Sequence, residues 1–327
     1  MRRREFITLV GSAAAGWPFT ARAQQSAMPV IGFLESGSLA EFADRVNAFR
    51  EGLRKFGYIE GETVKVEYRF ANGHYGQLPS MASDLVGRQV AVLVATGSPN
   101  SAQAAQAATQ TIPIVFANGG DPVKLRLVST VNRPGGNTTG VTFFNSSLAP
   151  KRMELVRELL PKATIVGVLV NPRNPNTEAD IKVLQAAGRS VGLDVLIVNA
   201  VSDSDFEPAF TAFAQRHVDA TIINNDAFFS TQPGPIVEIA ARRAIPTIYY
   251  LRNFVAAGGL VSYGTNIIDM YRETGAYTGR ILKGVKPTDL PVLFPSKFEF
   301  VLNLKTAKTL GLDIHTSILL RADEVIE

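Results

Sequence analysis

Short apolar segments alternate with amphipathic segments through most of this 327-residue chain. Residues 30–34 are typical of a buried strand, and residues 39–56 place apolar side chains at helical spacing before Gly57. Further strands are predicted at 64–70, 90–95, 112–117 and 137–143, and a further helix at 78–87. Because strands that alternate with helices of this length form parallel sheets covered on both faces, the pattern predicts an α/β fold.

The alternation is duplicated in the second half of the chain. Gly32 and Gly57 recur as Gly167 and Gly192, each 135 residues later, and an Ile-Pro pair recurs at a separation of 133 residues. Several matches in the same order predict two doubly wound parallel-sheet units, joined near residues 145–150. Three predicted segments follow the duplicated pattern, at 269–283, 298–303 and 305–310. They are not needed for the second unit, and they could complete both sheets if the chain crosses between the units again.

The N-terminal segment has the features of an export signal. Arginines follow the initiator Met, and the apolar run at 6–16 is too short to span a bilayer, which takes about 20 residues. Ala21 and Ala23 present the small side chains that a signal peptidase requires, and Arg3-Arg4-Glu5-Phe6-Ile7 resembles a twin-arginine signal. We therefore expect a signal peptide over residues 1–23, cleavage near Ala23 and a periplasmic mature protein. The alternative, an uncleaved anchor, is disfavoured by the short apolar run.

Composition excludes several classes of function. Cleavage removes four arginines and one glutamate, so the formal net charge falls from +4 to +1. The mature chain therefore has no basic excess for nucleic acid or an anionic membrane, and no stable membrane insertion is expected. The absence of cysteine excludes a lipobox, thiol catalysis and cysteine metal sites. The histidines occur in unlike contexts, so no metal site is predicted: His74, His217 and His315.

The candidate ligand-binding residues follow the predicted strands. In parallel sheets, ligands bind beyond the carboxyl ends of the strands, and here these loops are polar and rich in small residues. Two such units that face each other would enclose a cleft. The predicted ligand-binding residues are Glu35, Ser36, Ser38, Thr96, Gly97, Ser98, Asn118, Asp121, Asn171, Asn174, Asn176, Asn225, Asp226, Tyr249, Tyr250, Arg252 and Tyr263.

Their chemistry suits a small polar molecule. Ser38 and Ser98 stand near helix starts, whose free N–H groups favour a carboxylate. Arg252 could clamp a carboxylate, Asp121 and Asp226 could face an ammonium group, and the tyrosines could form an apolar wall. The alternatives are structural: helix N-caps for the short polar residues, and core positions for the aromatic ones.

Sequence signatures of catalysis are missing from the predicted loops. The first strand lacks the spacing of a dinucleotide fingerprint, and there is no Walker motif and no Gly-x-Ser-x-Gly elbow. No nucleophile and base can be paired, so we predict neither catalytic residues nor a cofactor. Binding is favoured over two alternatives, an exported α/β enzyme acting on a small molecule and a ligand-sensing module for a membrane receptor.

Several short motifs carry a family resemblance over nearly all of the mature chain. They include Ile31-Gly32-Phe33-Leu34, Ala95-Thr96-Gly97-Ser98, Asp121-Pro122-Val123, Pro134-Gly135-Gly136-Asn137, Ser262-Tyr263-Gly264 and Ile281-Leu282-Lys283-Gly284. With these motifs the chain resembles the periplasmic substrate-binding components of ABC transporters, in the branch that includes tryptophan- and tyrosine-binding receptors.

The resemblance implies a type I periplasmic-binding fold with three crossovers. It places residues 28–143 and 265–291 in one lobe and residues 144–264 and 292–327 in the other. A small organic ligand would bind in the cleft between the lobes, and the receptor would deliver it to an ABC permease. The loops carried over by matching motif are 35–38, 96–98, 121, 171–176 and 226.

One stretch departs from the family pattern. Amino-acid-binding relatives often have an acid just after the Ile-Pro strand of the second lobe, where this chain has Tyr249-Tyr250-Leu251-Arg252-Asn253. The expected ligand is therefore an amino acid or an aromatic or carboxylate compound without a free amine.

Overall fold

The computed structural model describes residues 28–143 and 145–327. The predicted signal peptide at 1–23 and its cleavage site near Ala23 lie outside the described residues. Within the described part, no helix is long and apolar enough to cross a membrane.

The first lobe contains a sheet of five strands in the order β2-β1-β3-β4-β5, all of them parallel. The strands are β1 (Val30–Glu35), β2 (Lys65–Phe70), β3 (Val92–Thr96), β4 (Ile114–Asn118) and β5 (Thr138–Thr142), and the helices between them are α1 (Leu39–Arg54), α2 (Leu78–Gly87) and α3 (Pro99–Ala108). Since β1 lies between β2 and β3, the loops after β1 and β3 diverge and open a crevice at the carboxyl ends of the strands.

The second lobe contains a sheet of seven strands in the order β12-β11-β10-β9-β8-β6-β7. The strands are β6 (Ile165–Val170), β7 (Asp194–Asn199), β8 (Ala220–Ile223), β9 (Thr247–Tyr249), β10 (Val261–Thr265), β11 (Phe298–Asn303) and β12 (Glu324–Ile326). The helices are α4 (Ala149–Leu159), α5 (Thr177–Ser190), α6 (Phe206–Gln215), α7 (Ala227–Ser230), α8 (Pro233–Arg242), α9 (Arg252–Ala256), α11 (Leu304–Thr309) and α12 (Thr316–Leu319).

The two sheets are built on one plan. Strands β6 to β10 repeat the order of β1 to β5, and β11 then joins β10 in antiparallel orientation. The inner strands, such as β1, β3, β4, β6 and β8, are almost entirely buried, as their continuous apolar sequences predict for sheets covered on both faces, whereas the outer strands β2, β7 and β12 are partly exposed. The prediction of two doubly wound α/β lobes is therefore confirmed.

The remaining helix, α10 (Ile267–Leu282), leaves the second sheet and packs against α1 of the first lobe. Glycines allow the two backbones to touch. A Cβ atom on Gly52 would lie 2.0 Å from the Arg272 carbonyl oxygen, and one on Gly275 would lie 2.0 Å from the Phe49 carbonyl oxygen. This contact fastens the second half of the chain to the first lobe.

The chain passes between the lobes after β5, after β10 and before β11. The predicted boundary at residue 291 is corrected by two residues, Val292 and Leu293. The N–H of Val292 donates to Val131 at 2.7 Å, and Leu293 forms a bridge with Val141 of β5. Both residues therefore belong with the first lobe.

Candidate functional site

The carboxyl ends of the two sheets face each other, and side chains of the two lobes touch across the cleft. The Tyr75 hydroxyl of the first lobe donates to both carboxylate oxygens of Asp226 in the second lobe, at 3.0 Å each. At the rim, Asn100 donates to the Arg173 carbonyl at 3.4 Å. The lobes are therefore in a closed arrangement.

Asp226 is the centre of a buried polar cluster. Its oxygens accept hydrogen bonds from the side-chain amides of Asn171 and Asn174 and from the Phe228 N–H, each at 2.9 Å. With Tyr75, these four donors match the roughly four lone-pair sites of a carboxylate. Burial raises the pKa of Asp226, against the effect of these hydrogen bonds. Protein donors thus occupy the carboxylate, which favours a structural role for Asp226 over the predicted contact with a ligand ammonium.

Glu35 stands at the carboxyl end of β1 in the first lobe and is completely buried. Its Oε2 accepts from the hydroxyls of Thr96 at 2.7 Å and Tyr271 at 2.8 Å. Its Oε1 accepts from the Gly37 N–H at 3.0 Å and the Ser36 hydroxyl at 3.3 Å. Burial raises the pKa of Glu35, and these partners oppose the shift. Glu35, Ser36 and Thr96 therefore join the loops after β1 and β3 to α10, which favours a structural role for the Glu35 carboxylate, and the ligand contacts of Ser36 and Thr96 stay predictions.

The loops after β3 and β4 present polar atoms that are not used by the protein. Gly97 has a φ of +89°, and a Cβ there would lie 1.8 Å from Glu35 Oε1, so this turn requires glycine. Beside it, the Ser98 hydroxyl is buried and has no hydrogen-bond partner among the described residues. The same holds for Nδ2 of Asn118, whose Oδ1 accepts from the Gly120 N–H at 3.0 Å. Ser98 and Asn118 thus remain candidate ligand contacts.

Arg45 on α1 is a candidate that the sequence reasoning missed. Its side chain is only 7% exposed, and its guanidinium carbon lies 3.9 Å from the centre of the Phe42 ring and 6.0 Å from that of Tyr271. Within the described part of the chain, no hydrogen bond or ion pair engages its nitrogens. Burial raises the pKa of Tyr250 in the second lobe, and the charge of Arg45 opposes the shift. The charge of Arg45 also opposes the raised pKa that burial gives Glu35, so this guanidinium lies within electrostatic reach of both Glu35 and Tyr250.

A second buried arginine, Arg152, lies on α4 of the second lobe and is 1% exposed. Its Nε donates to the Tyr263 carbonyl at 2.9 Å, whereas its Nη2 has no partner among the described residues. Burial lowers the pKa of Arg152 to about 10, and the nearby Asp180 opposes the shift. Arg45 could have been found as a cation within the apolar face of the helix predicted at 39–56, whereas no predicted helix contained Arg152.

Three predicted contacts lie elsewhere and are corrected. Arg252 is half exposed and forms an ion pair with Glu324, with N–O distances of 2.5 and 2.6 Å. Tyr249 is buried in the core of the second lobe, where it stacks on Phe254 at 4.8 Å. The ring of Tyr263 packs edge-on against the core residue Phe300.

Asp121 closes its own turn, because its Oδ1 accepts from the N–H groups of Val123 and Lys124 at 3.0 and 3.1 Å. These hydrogen bonds favour a structural role for Asp121 over the predicted contact with a ligand ammonium group. Tyr250 donates to the Asp226 carbonyl at 2.5 Å. The other predicted residues stand at the cleft edge of the two lobes: Ser38, Asn171, Asn174, Asn176 and Asn225.

Among residues 28–143 and 145–327, no group of three or more His, Cys, Asp or Glu side chains is placed to hold a metal ion. Among the described residues, the unpartnered polar atoms of the first-lobe loops are the Ser98 hydroxyl and Asn118 Nδ2, both of which can donate hydrogen bonds. This arrangement can bind and orient an acceptor-rich molecule.

Comparisons with known proteins agree with this architecture. The family model described as "ABC transporter substrate binding protein" matches residues 28–326. A "Tyrosine-binding protein" of Clostridioides difficile is 27% identical over 264 residues, which cover 81% of this chain and 75% of that protein.

Two solved structures have closely similar folds. One, from Streptococcus pneumoniae in complex with L-Trp, is 28% identical with a TM-score of 0.85 and covers 91% of this chain and 99% of its own. A conserved domain protein of Vibrio cholerae is 26% identical with a TM-score of 0.86 and has the same coverage, 91% and 99%. The chain belongs to the ABC transporter substrate-binding protein family, as its motifs predict.

Proposed function

We propose that this chain is an exported receptor that captures a small carboxylate with an aromatic body between its lobes and delivers it to an ABC permease. The observation that carries the proposal is the position of Arg45, whose side chain is 7% exposed and lies over the Phe42 ring, with no hydrogen bond or ion pair to another described residue. A ligand carboxylate entering the cleft would supply the hydrogen-bond acceptors that this guanidinium lacks within the protein.

The open donors favour a carboxylate as that anion. Guanidinium groups bind carboxylates through two parallel hydrogen bonds. The unpartnered hydroxyl of Ser98 and Nδ2 of Asn118 lie at the carboxyl ends of adjacent strands in the same lobe as Arg45. Together these groups supply the neutral and charged donors that a buried carboxylate needs.

The surroundings of Arg45 favour an aromatic body. The ring of Tyr271 lies 6.3 Å from that of Phe42 and 6.2 Å from that of Phe143, so three aromatic side chains line this side of the first lobe. The relatives support the same class, since one is named for binding tyrosine and another was solved with L-Trp.

Capture proceeds by hinge closure. The contact between Tyr75 and Asp226 joins the lobes, so it forms only when they close. A ligand that touches both lobes shifts the population toward that closed form, which the permease then recognises.

The test is calorimetry and thermal unfolding of the protein purified from the periplasm. The panel holds aromatic and branched amino acids, aromatic acids, dicarboxylates, sugars and nucleosides. A ligand at ~100 times its Kd should raise the free energy of unfolding by ~2.7 kcal/mol. Stabilisation by aromatic carboxylates that are recovered intact supports the proposal. Conversion of the ligand would favour the enzyme alternative instead.

Export and transport are tested in cells. N-terminal sequencing of the periplasmic protein should begin at Gln24, and a cytoplasmic protein that retains residues 1–23 would contradict export. Deletion of the gene should abolish uptake of the ligand. Normal uptake with loss of a transcriptional response would favour the sensing alternative.

A further inference from the structure

The acidic side chains beside the cleft are already occupied by the protein. Glu35 and Asp226 each accept four hydrogen bonds from protein donors, and each is almost or completely buried. Four donors are about the capacity of one carboxylate. Neither group has a lone pair left for a ligand donor in the closed form.

The acid at the rim is also engaged. Asp121 Oδ1 accepts two backbone N–H groups, and its Oδ2 lies 3.6 Å from the Lys124 ammonium. Its negative charge is thus balanced within its own turn.

Four of the five unpartnered buried side-chain atoms of the described residues can donate a hydrogen bond. Arg152 Nη2 and Asn118 Nδ2 can only donate, the hydroxyls of Ser98 and Ser101 can do either, and Arg45 adds a positive charge. Among the described residues, Asn253 Oδ1 is the one such atom that can only accept. A neutral amide oxygen supplies one of the three acceptors that an ammonium group needs.

We infer that the cleft selects aromatic carboxylates that carry no ammonium group, such as aryl- and indolyl-alkanoic acids, over the corresponding α-amino acids. The inference rests on the proposed function and narrows its ligand class. A carboxylate only accepts hydrogen bonds, so it matches the open donors. An ammonium group beside Glu35 or Asp226 would meet a carboxylate whose acceptor sites are full, near the positive charge of Arg45, and would lose its hydration without replacement.

The test compares matched pairs by calorimetry with the whole exported protein. The pairs are L-tyrosine with 3-(4-hydroxyphenyl)propionate, and L-tryptophan with indole-3-propionate. We expect the acid of at least one pair to bind about tenfold or more tightly than its amino acid, because the ammonium group stays unsatisfied. Amino acids that bind equally well or better would overturn the inference and leave the receptor function standing. If no member of either pair binds, the proposed aromatic carboxylate class fails, and the inference fails with it.

Variants of Arg45 test whether this residue is responsible for binding the carboxylate of the preferred acid. Arg45→Gln should weaken binding of the preferred acid about a hundredfold, and Arg45→Lys should restore part of it. Arg252→Gln is the matched control and should leave binding unchanged, because Arg252 pairs with Glu324 outside the cleft. Circular dichroism and thermal unfolding establish that each variant is folded. If Arg45→Gln does not fold, 3-(4-hydroxyphenyl)propionamide provides the same test on the wild type, since a neutral amide should bind far more weakly than the acid. Equal affinities of acid and amide, or of the wild type and a folded Arg45→Gln, would overturn the role of Arg45.

Discussion

The closure of the lobes depends on one phenolic oxygen, that of Tyr75. This hydroxyl donates to both oxygens of Asp226 at 3.0 Å and accepts from the Phe228 N–H at 3.2 Å. In Tyr75→Phe, the closed form leaves Asp226 with three donors in a buried position. In the open form water can hydrate the carboxylate, so the substitution destabilises closure selectively.

The magnitude follows from the charge of the acceptor. A hydrogen bond to a charged group contributes about 1.5–3 kcal/mol, and each 1.4 kcal/mol is tenfold in affinity. The ligand binds tightly only to the closed form. If the substitution lowers the population of that form tenfold, the apparent affinity falls tenfold as well. We therefore expect the Kd of Tyr75→Phe to rise about tenfold to a hundredfold.

Calorimetry with the preferred ligand measures this change. Tyr277→Phe is the control, because its hydroxyl donates to the Pro291 carbonyl at 2.7 Å on the first-lobe side of the molecule. The control should lower the free energy of unfolding while its Kd stays close to that of the wild type. A Tyr75→Phe variant that binds as tightly as the control would refute the reasoning that the Tyr75–Asp226 contact stabilises the closed form.

Two further predictions concern stability. Gly275→Ala should lower the free energy of unfolding by roughly 1–3 kcal/mol, because the new Cβ would lie 2.0 Å from the Phe49 carbonyl oxygen. Gly87→Ala, which meets no atom within 4 Å at the end of α2, should instead raise it by about 0.4–1 kcal/mol, and thermal unfolding of the pair checks both signs. For pH dependence, burial raises the pKa of Glu35, so the folded form binds its proton more readily than the unfolded form. The stability of the wild type relative to Glu35→Gln should therefore fall as the pH rises above the ordinary carboxyl range, and a relative stability that increases with pH would contradict this.

The fold was predictable because the sequence patterns that mark its helices and strands involve residues close together in the chain. The helix predicted at 39–56 is α1 at Leu39–Arg54, and the strand predicted at 298–303 is β11 at Phe298–Asn303. Apolar spacing and glycine at element ends are properties of neighbouring residues, so each half of the duplication can be recognised by itself. The contact of Leu293 with β5 could not be inferred in this way, since it depends on where the chain returns after α10.

The position of the site was also predictable, but its chemistry was not. The polar loops lie at the cleft, yet the partner of Asp226 is 151 residues away and that of Glu35 is 236 residues away. Sequence spacing does not reveal that such a carboxylate is already occupied. Arg45 was missed for the converse reason: a helical arginine is ordinarily solvated, and its burial follows from the packing of Tyr271 on α10.

The two lobes of the duplicated fold contribute differently to ligand binding. Strands β3 and β8 hold equivalent places in their sheets, and each is followed by the N-cap of a helix, Ser98 in one lobe and Asp226 in the other. The Asp226 side chain caps its helix and holds Tyr75, whereas the Ser98 side chain caps nothing and stays open. With Arg45 and Asn118, the open donors that we assign to the ligand carboxylate lie in the first lobe. The ligand should therefore dock on the first lobe before the second closes, so Tyr75→Phe should raise the dissociation rate and leave the association rate unchanged. Stopped-flow binding that shows a slower association instead would mean that closure precedes docking.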